Sequence, residues 1–98
     1  MTSEISKTVF KWITENAENL SRWNQIIWNL AEPAWREYES VSFYIDILKQ
    51  NGFKVERNSA GMPTAFYAEW DNGNGPNLAT YAEYDAVPGQ CQAATTYK

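Results

Sequence analysis

The hydrophobic pattern of the chain changes its period once, at Asn51 and Gly52, and this change most restricts the possible fold. Before this point apolar residues recur at spacings of three and four, which is typical of helices with one buried face. After it they alternate with polar residues, which is typical of half-exposed strands. The pattern predicts a protein that contains both kinds of element, with its helices first and its strands last.

The first helical region is predicted over residues 3–31. Thr2 or Ser3 can cap its start, and the polar stretch around Asn16 is weak in helix propensity. We therefore expect either two helices that meet near Asn16 or one long bent helix. The apolar residues that share one face are Ile5, Val9, Trp12, Ile13, Leu20, Trp23, Ile26, Ile27 and Leu30.

Three tryptophans of this region, Trp12, Trp23 and Trp28, follow the apolar face only in part. They could form a surface for a partner, or they could pack in the core with Trp28 at the edge of the buried face. Core packing is the role that we expect.

A further helix is predicted over residues 40–50. Pro33 should end or kink the first region, because the residue before a proline disfavours the helical conformation. Ser40 suits the N-cap, and Gly52 suits the end because glycine adopts the left-handed conformation without strain. The helix is amphipathic, with an apolar stripe at Val41, Tyr44, Ile45 and Leu48.

Three strands are predicted after this helix, at about residues 53–57, 64–70 and 77–84. The last strand ends in two carboxylates, Glu83 and Asp85. Residues two apart in a strand point to one face, and acidic residues after a strand lie where open α/β sheets bind ligands. The alternative interpretation is that both are ordinary solvated side chains at a strand end.

The composition fits one small folded domain and narrows the possible partners. A chain of 98 residues forms at most one domain, and 15% aromatic residues argue against disorder. The net charge is −4 without a lysine or arginine cluster, so neither nucleic acid nor an anionic membrane is an expected partner. We find neither an apolar run of membrane-spanning length nor the pattern of a signal peptide.

Histidine is absent, and Cys91 is the single cysteine. The chain alone therefore cannot build a histidine-dependent triad, a histidine-ligated metal centre or a multi-thiolate zinc site. One cysteine cannot form an internal disulfide, which together with the N-terminal sequence predicts a cytoplasmic protein.

Three segments, in this order and at this spacing, resemble one enzyme family. They are residues 28–40 (WNLAEPAWREYES), 60–66 (AGMPTAF) and 82–89 (AEYDAVPG). Together they are similar to the beginning of the aminoacylase/carboxypeptidase superfamily of metal-dependent amidohydrolases, nearest to its aminobenzoyl-glutamate hydrolase branch. The resemblance covers almost the whole chain but only the beginning of such an enzyme.

The resemblance implies that residues 1–98 are one partial catalytic domain. They would form the N-terminal helices and first three strands of a three-layer, mixed-sheet α/β domain of the zinc-peptidase type. In the family a divalent metal, expected to be zinc, activates a water that attacks the amide bond of an acyl-amino acid or small peptide-like substrate. A glutamate further along serves as general base. The chain alone is expected to be inactive and to hold no metal.

Many relatives carry a His-x-Asp pair in the third strand, which corresponds here to Glu83-Tyr84-Asp85. Asp85 matches the aspartate and is the candidate catalytic residue, as a carboxylate that orients a metal ligand. Glu83 stands in the place of the histidine and is not assigned as a ligand. Cys91 lies near a cysteine-bearing ligand motif of related branches but not on it, and we interpret it as a small buried or loop residue.

A different hypothesis is a free-standing α/β module that binds a partner or assembles with itself without catalysis. Three strands leave an exposed sheet edge, which pairs readily with another chain. If the chain is instead the N-terminal fragment of the family enzyme, its third strand lacks its neighbours, because in the family sheet this strand does not lie beside residues 64–70. The isolated chain is therefore expected to self-associate through its edges, or to pair its last two strands as a hairpin through residues 72–77.

Overall fold

Three helices are followed by a two-stranded sheet. The computed structural model describes residues 3–89 of the 98. Its elements are α1 (Glu4–Glu15), α2 (Ala17–Leu30), α3 (Tyr38–Gln50), β1 (Lys54–Arg57) and β2 (Phe66–Glu69). The α/β character and the order of helices before strands are confirmed. In place of the first three strands of a three-layer mixed sheet, the described residues form two antiparallel strands.

The break between α1 and α2 lies at Asn16, so of the two expected arrangements the structure has two helices that meet at this residue. Ser3 caps α1, because its hydroxyl oxygen accepts a hydrogen bond from the backbone N–H of Ser6 at 3.1 Å. The Asn16 side chain donates to the backbone carbonyl of Trp12 at 2.8 Å, and the backbone N–H of Asn16 donates to the same carbonyl at 3.0 Å, so Asn16 closes the last turn of α1 with two bonds.

The apolar face of α1 is not buried, contrary to the expected core role. Trp12 is 51% exposed and Ile5 is 78% exposed, and Trp28 of α2 is 49% exposed. Trp23 is partly buried. The expectation for Trp12 was wrong because α1 packs mainly on α2, and its other side stays exposed in the described part of the chain. The half exposure of Trp28 fits a position at the edge of the apolar face.

The helix α3 supplies the core. Val41 and Ile45 are 1% and 2% exposed, and α3 packs against both strands. Its end is the predicted one: the Phe53 N–H donates to the Leu48 carbonyl at 3.0 Å, and Gly52 between them has a φ of +87°. This is the Schellman arrangement, which requires a left-handed residue where Gly52 lies.

The start of α3 differs from the predicted one. The helix begins at Tyr38, two residues before the expected N-cap, so Ser40 lies inside the first turn and is fully buried. Ser40 is therefore not the cap. The hydrogen-bonding role expected of it is taken by Glu32, a residue further back in the chain.

The two strands pair antiparallel, with Val55 opposite Ala68. Along β2 partly buried and exposed residues alternate, as predicted, with Phe66 and Ala68 on the inner side. This alternation fits a sheet with one face on α3 and one in solvent.

The third strand, expected at about residues 77–84, does not form in the described part of the chain, and neither does the hairpin through residues 72–77. Leu78 is 93% exposed and Tyr81 is 87% exposed. A strand needs a neighbour for its backbone N–H and C=O groups. No described strand lies beside this segment. Its strand propensity is therefore not enough to form a strand there.

In the described residues 3–89, the helices lack the length and apolar character needed to cross a membrane.

Candidate functional site

Segments 28–40, 60–66 and 82–89 come together in space, although up to about fifty residues of chain separate them. The N–H of Ala86 donates to the backbone carbonyl of Glu32 at 2.7 Å. Pro33 and Ala86 form an isolated parallel bridge. The hydroxyl of Tyr84 donates to the backbone carbonyl of Thr64. Each of the three segments thus touches at least one other through a hydrogen bond to a backbone carbonyl.

An aromatic cluster packs where segments 28–40, 60–66 and 82–89 meet, which we call the junction. The ring of Tyr84 lies 5.1 Å from that of Tyr44 on α3 and 6.2 Å from that of Phe66 on β2, measured between centroids. Tyr44 and Phe66 are 6.1 Å apart. Such distances are typical of attractive aromatic pairs. The cluster therefore fixes Tyr84 against both a helix and a strand.

Burial raises the pKa of the Tyr84 phenol above 10.0, with further contributions from the negative charges of Glu37 and Glu32 and from Tyr44. Both effects disfavour the ionised phenolate. The neutral hydroxyl is the form that can donate to Thr64. Tyr84 consequently acts here as a structural hydrogen-bond donor.

The carboxylate of Glu32 caps α3. Its Oε1 accepts from the N–H of Ser40 at 2.6 Å, and its Oε2 accepts from the N–H of Glu39 at 3.0 Å. Glu37, at the N-cap position, makes no such side-chain bond. A carboxylate at this position satisfies two free N–H groups and interacts favourably with the helix dipole. Glu32 thus performs the capping role expected of Ser40.

Two opposing effects act on the pKa of Glu32. Burial pushes the pKa upward, while the Ser40 side chain and the backbone N–H groups of Glu39, Ser40 and Tyr38 push it downward. The net result is a pKa below 4.5. The Ser40 hydroxyl has no partner at ordinary hydrogen-bond geometry among the described residues, so the two backbone bonds are the contacts that hold the carboxylate.

The loops around the junction contain unusual backbone conformations. The non-glycine residues with positive φ in the described part are Ala31, Trp35, Asn58 and Ala60. Such conformations persist only where surrounding contacts hold them. One such contact is visible at Trp35, whose N–H donates to the buried carboxylate of Glu37 at 3.2 Å.

The candidate residues Glu83 and Asp85 both lie at the surface, while Tyr84 and Ala86 point inward. Exposed and partly buried residues thus alternate here, although the segment is not paired as a strand. Asp85 follows Tyr84 and precedes Ala86, so both of its neighbours are anchored. Cys91 lies outside the described residues.

The described side chains do not fit the metal centre that the family resemblance implies. Between residues 3 and 89, no three histidine, cysteine, aspartate or glutamate side chains lie close enough together to hold a metal ion. A zinc site needs about three or four such ligands. The described part of the junction can orient an outward carboxylate, but it does not bring ligands together around one.

The sequence interpretation missed the roles of Glu32, Thr64 and Tyr84. A signal for Glu32 was present, because an acidic residue shortly before a helix is a candidate cap. No comparable signal exists for Thr64, which contributes only its backbone carbonyl. Tyr84 belongs to the third family-like segment, but its contact with a residue twenty positions away cannot be derived from local periodicity.

The comparisons with known proteins agree with a hydrolase-like relative. Over 68 residues the chain is 37% identical to one subunit of the p-aminobenzoyl-glutamate hydrolase of Escherichia coli (strain K12). No protein family model and no solved structure matches the chain. The aligned part covers 69% of this chain but only 14% of the length of that relative. The chain is thus similar to a small part of a hydrolase subunit.

Proposed function

We propose that this chain is the N-terminal part of a metal-dependent amidohydrolase, and that it provides structural support for a catalytic centre completed by residues beyond it. The observation that carries the proposal is the junction itself. The three segments that resemble the family are the ones joined by the Ala86–Glu32 and Tyr84–Thr64 hydrogen bonds. A chance similarity of sequence gives no reason for these segments to meet.

The proposed reaction is hydrolysis of an amide bond in an acyl-amino acid or small peptide-like substrate. The name of the E. coli relative supports this class, with p-aminobenzoyl-glutamate as the substrate to test first. Asp85 is proposed to orient a metal ligand that another part of the parent enzyme supplies. The metal, proposed to be zinc, would be held by ligands outside this chain. A cytoplasmic location belongs to the same proposal.

Exposed apolar surface on α1 also supports the proposal that the chain is part of a larger enzyme. Ile5, Val9, Phe10, Trp12 and Ile13 of α1 are all at least 45% exposed. Clusters of exposed apolar side chains are typical of surfaces that contact another domain or chain. In the proposed parent, further parts of the same enzyme would contact this face.

The second candidate function is a non-catalytic module that binds a partner or associates with itself. The same exposed face of α1 favours it, together with the unpaired segment at residues 77–84. This hypothesis differs from the first in one respect that can be measured: it needs no further polypeptide for function.

An activity assay on the purified chain tests whether hydrolysis depends on residues beyond it. With p-aminobenzoyl-glutamate and added Zn²⁺ the 98-residue chain is expected to release no p-aminobenzoate above a protein-free control. The complete E. coli hydrolase to which the similar subunit belongs, assayed in parallel, is the positive control for the conditions. Zinc-dependent turnover by the purified chain would contradict the proposed dependence on residues beyond it.

A further inference from the structure

We propose that Glu32 is a positioning residue that couples the N-terminus of α3 to the segment carrying Asp85. The importance of Asp85 for hydrolysis rests on the proposed function above, whereas the coupling is a property of this chain. The two contacts of Glu32 carry the inference. Its side chain holds Glu39 and Ser40, and its backbone carbonyl holds Ala86.

The backbone of Glu32 has little freedom to move between these two contacts. Proline fixes its own φ and restricts the conformation of the residue before it, and Pro33 follows Glu32 directly. On the other side Ala31 is held in the left-handed region, with a φ of 47°. While the carboxylate is bound to the N-terminus of α3, the side-chain torsions of Glu32 are fixed as well, so its carbonyl is held at one position relative to that helix.

The proposed coupling acts on Asp85 through its two neighbours, Tyr84 and Ala86. Ala86 is held by the Glu32 carbonyl, and Tyr84 is held by the Thr64 carbonyl and the aromatic cluster. Asp85 itself is exposed, so its two anchored neighbours are the contacts that fix the position of its backbone. Loss of the Ala86 contact would leave Asp85 anchored on one side alone.

The simpler explanation is that Glu32 only caps α3. The two explanations differ at Ala86. A cap alone predicts that removal of the carboxylate frees the amides of Glu39 and Ser40 and leaves Ala86 as it was. Coupling predicts that the Ala86 amide is freed as well, although the substitution does not touch the carbonyl to which it donates.

The experiment is amide hydrogen exchange by NMR on the 98-residue chain, comparing the native sequence with Glu32→Ala and Glu32→Gln. Protection at Ala86 is expected to fall about tenfold in Glu32→Ala, the size expected for losing a charge-assisted cap. Glu32→Gln keeps one acceptor oxygen and should give a smaller fall. The Phe53 amide, bound to Leu48 at the far end of α3, reports on global opening and should keep its protection.

Glu39→Gln is the matched control. It removes one negative charge from the same helix end, but the contacts that hold Glu32 involve only the Glu39 backbone N–H. Ala86 protection should stay within about twofold of the native value, because an exposed charge near a helix end contributes little. A second readout is the Asp85 three-bond HN–Hα coupling, which should change towards a conformationally averaged value in Glu32→Ala and stay unchanged in Glu39→Gln.

Unchanged Ala86 protection and an unchanged Asp85 coupling, beside exposed Glu39 and Ser40 amides, would overturn the proposal and leave Glu32 as a cap alone. If Glu32→Ala also exposes the Phe53 amide, the chain has opened globally, and the same comparison is decided on Glu32→Gln. Failure of the proposed amidohydrolase function has a different signature, since it is detected in the mass of the natural protein and leaves the exchange data unaffected.

Discussion

Tyr84 and Thr64 are joined by a hydrogen bond from the tyrosine hydroxyl to the threonine backbone carbonyl, across twenty residues of sequence. Thr64 is 7% exposed, so its carbonyl lies in a largely water-free position. A buried carbonyl without a donor is costly. This single contact therefore ties the segment of Glu83 and Asp85 to the loop that precedes β2.

Replacement of Tyr84 by phenylalanine should remove this bond and keep the ring packing. The free energy of unfolding is expected to fall by about 1–2 kcal/mol, because the Thr64 carbonyl loses its donor. Urea denaturation followed by circular dichroism measures the change. Tyr81→Phe is the matched control, since Tyr81 is 87% exposed and its replacement should change stability by less than about 0.5 kcal/mol. Equal effects of the two substitutions would contradict the described role of Tyr84.

The lowered pKa of Glu32 predicts a specific loss of stability in acid. A carboxyl group with a lower pKa in the folded than in the unfolded chain stabilises the fold at pH values above its unfolded pKa. That contribution is lost as the pH falls below 4.5 and through the folded pKa. Glu32→Gln should therefore be less stable than the native chain at about pH 7, and this difference should shrink towards about pH 3. A difference that stays constant over this range would show that the Glu32 charge is not the source.

The small core makes stability depend strongly on Ile45. Within the described residues, the fully buried hydrophobic side chains are Val41 and Ile45. Ile45→Ala should cost about 2–4 kcal/mol, enough to remove much of the stability of a domain of this size. Thermal unfolding measured by circular dichroism should lose its cooperativity or shift strongly downward. Leu78→Ala, at a position that is 93% exposed, serves as the control and should leave the transition in place.

The unpaired segment at residues 77–84 predicts self-association of the isolated chain. It keeps the apolar and β-prone composition of a strand, and the two-stranded sheet leaves edges to which another copy can add. Sedimentation equilibrium should show a mass that rises with concentration. Leu78→Lys should weaken the association, because a charge opposes strand addition. Ser21→Lys adds the same charge on exposed α2 and should not; a monomer at all concentrations would contradict the prediction.

Local features of the fold could be predicted from the sequence, because short-range interactions decide them. The break at Asn16, the end of α3 at Gly52 and the alternation along β2 all depend on residues within one or two turns. The exposure of the apolar face of α1 could not be predicted, because an apolar face is favourable to bury but does not show that another element covers it. The prediction of a third strand at residues 77–84 was wrong for a similar reason. A strand forms only beside a partner strand, and the local sequence does not show whether one is present.

The long-range contacts of the candidate site could not be predicted from the local sequence either. Glu83 and Asp85 were found because they are two apart after a strand-like run. The contacts that hold them run from Ala86 to Glu32 and from Tyr84 to Thr64, and they depend on how distant loops meet. The role of Asp85 in orienting a metal ligand stays a prediction.

The mass of the intact natural protein, measured in the cells that produce it, tests the central claim most directly. The 98-residue chain has a mass of 11.3 kDa. If it is the N-terminal part of an amidohydrolase, an antibody against residues 3–31 should capture a polypeptide several times heavier, whose further sequence contains histidine and acidic metal ligands. A captured protein of about 11.3 kDa would contradict the claim and favour the non-catalytic module.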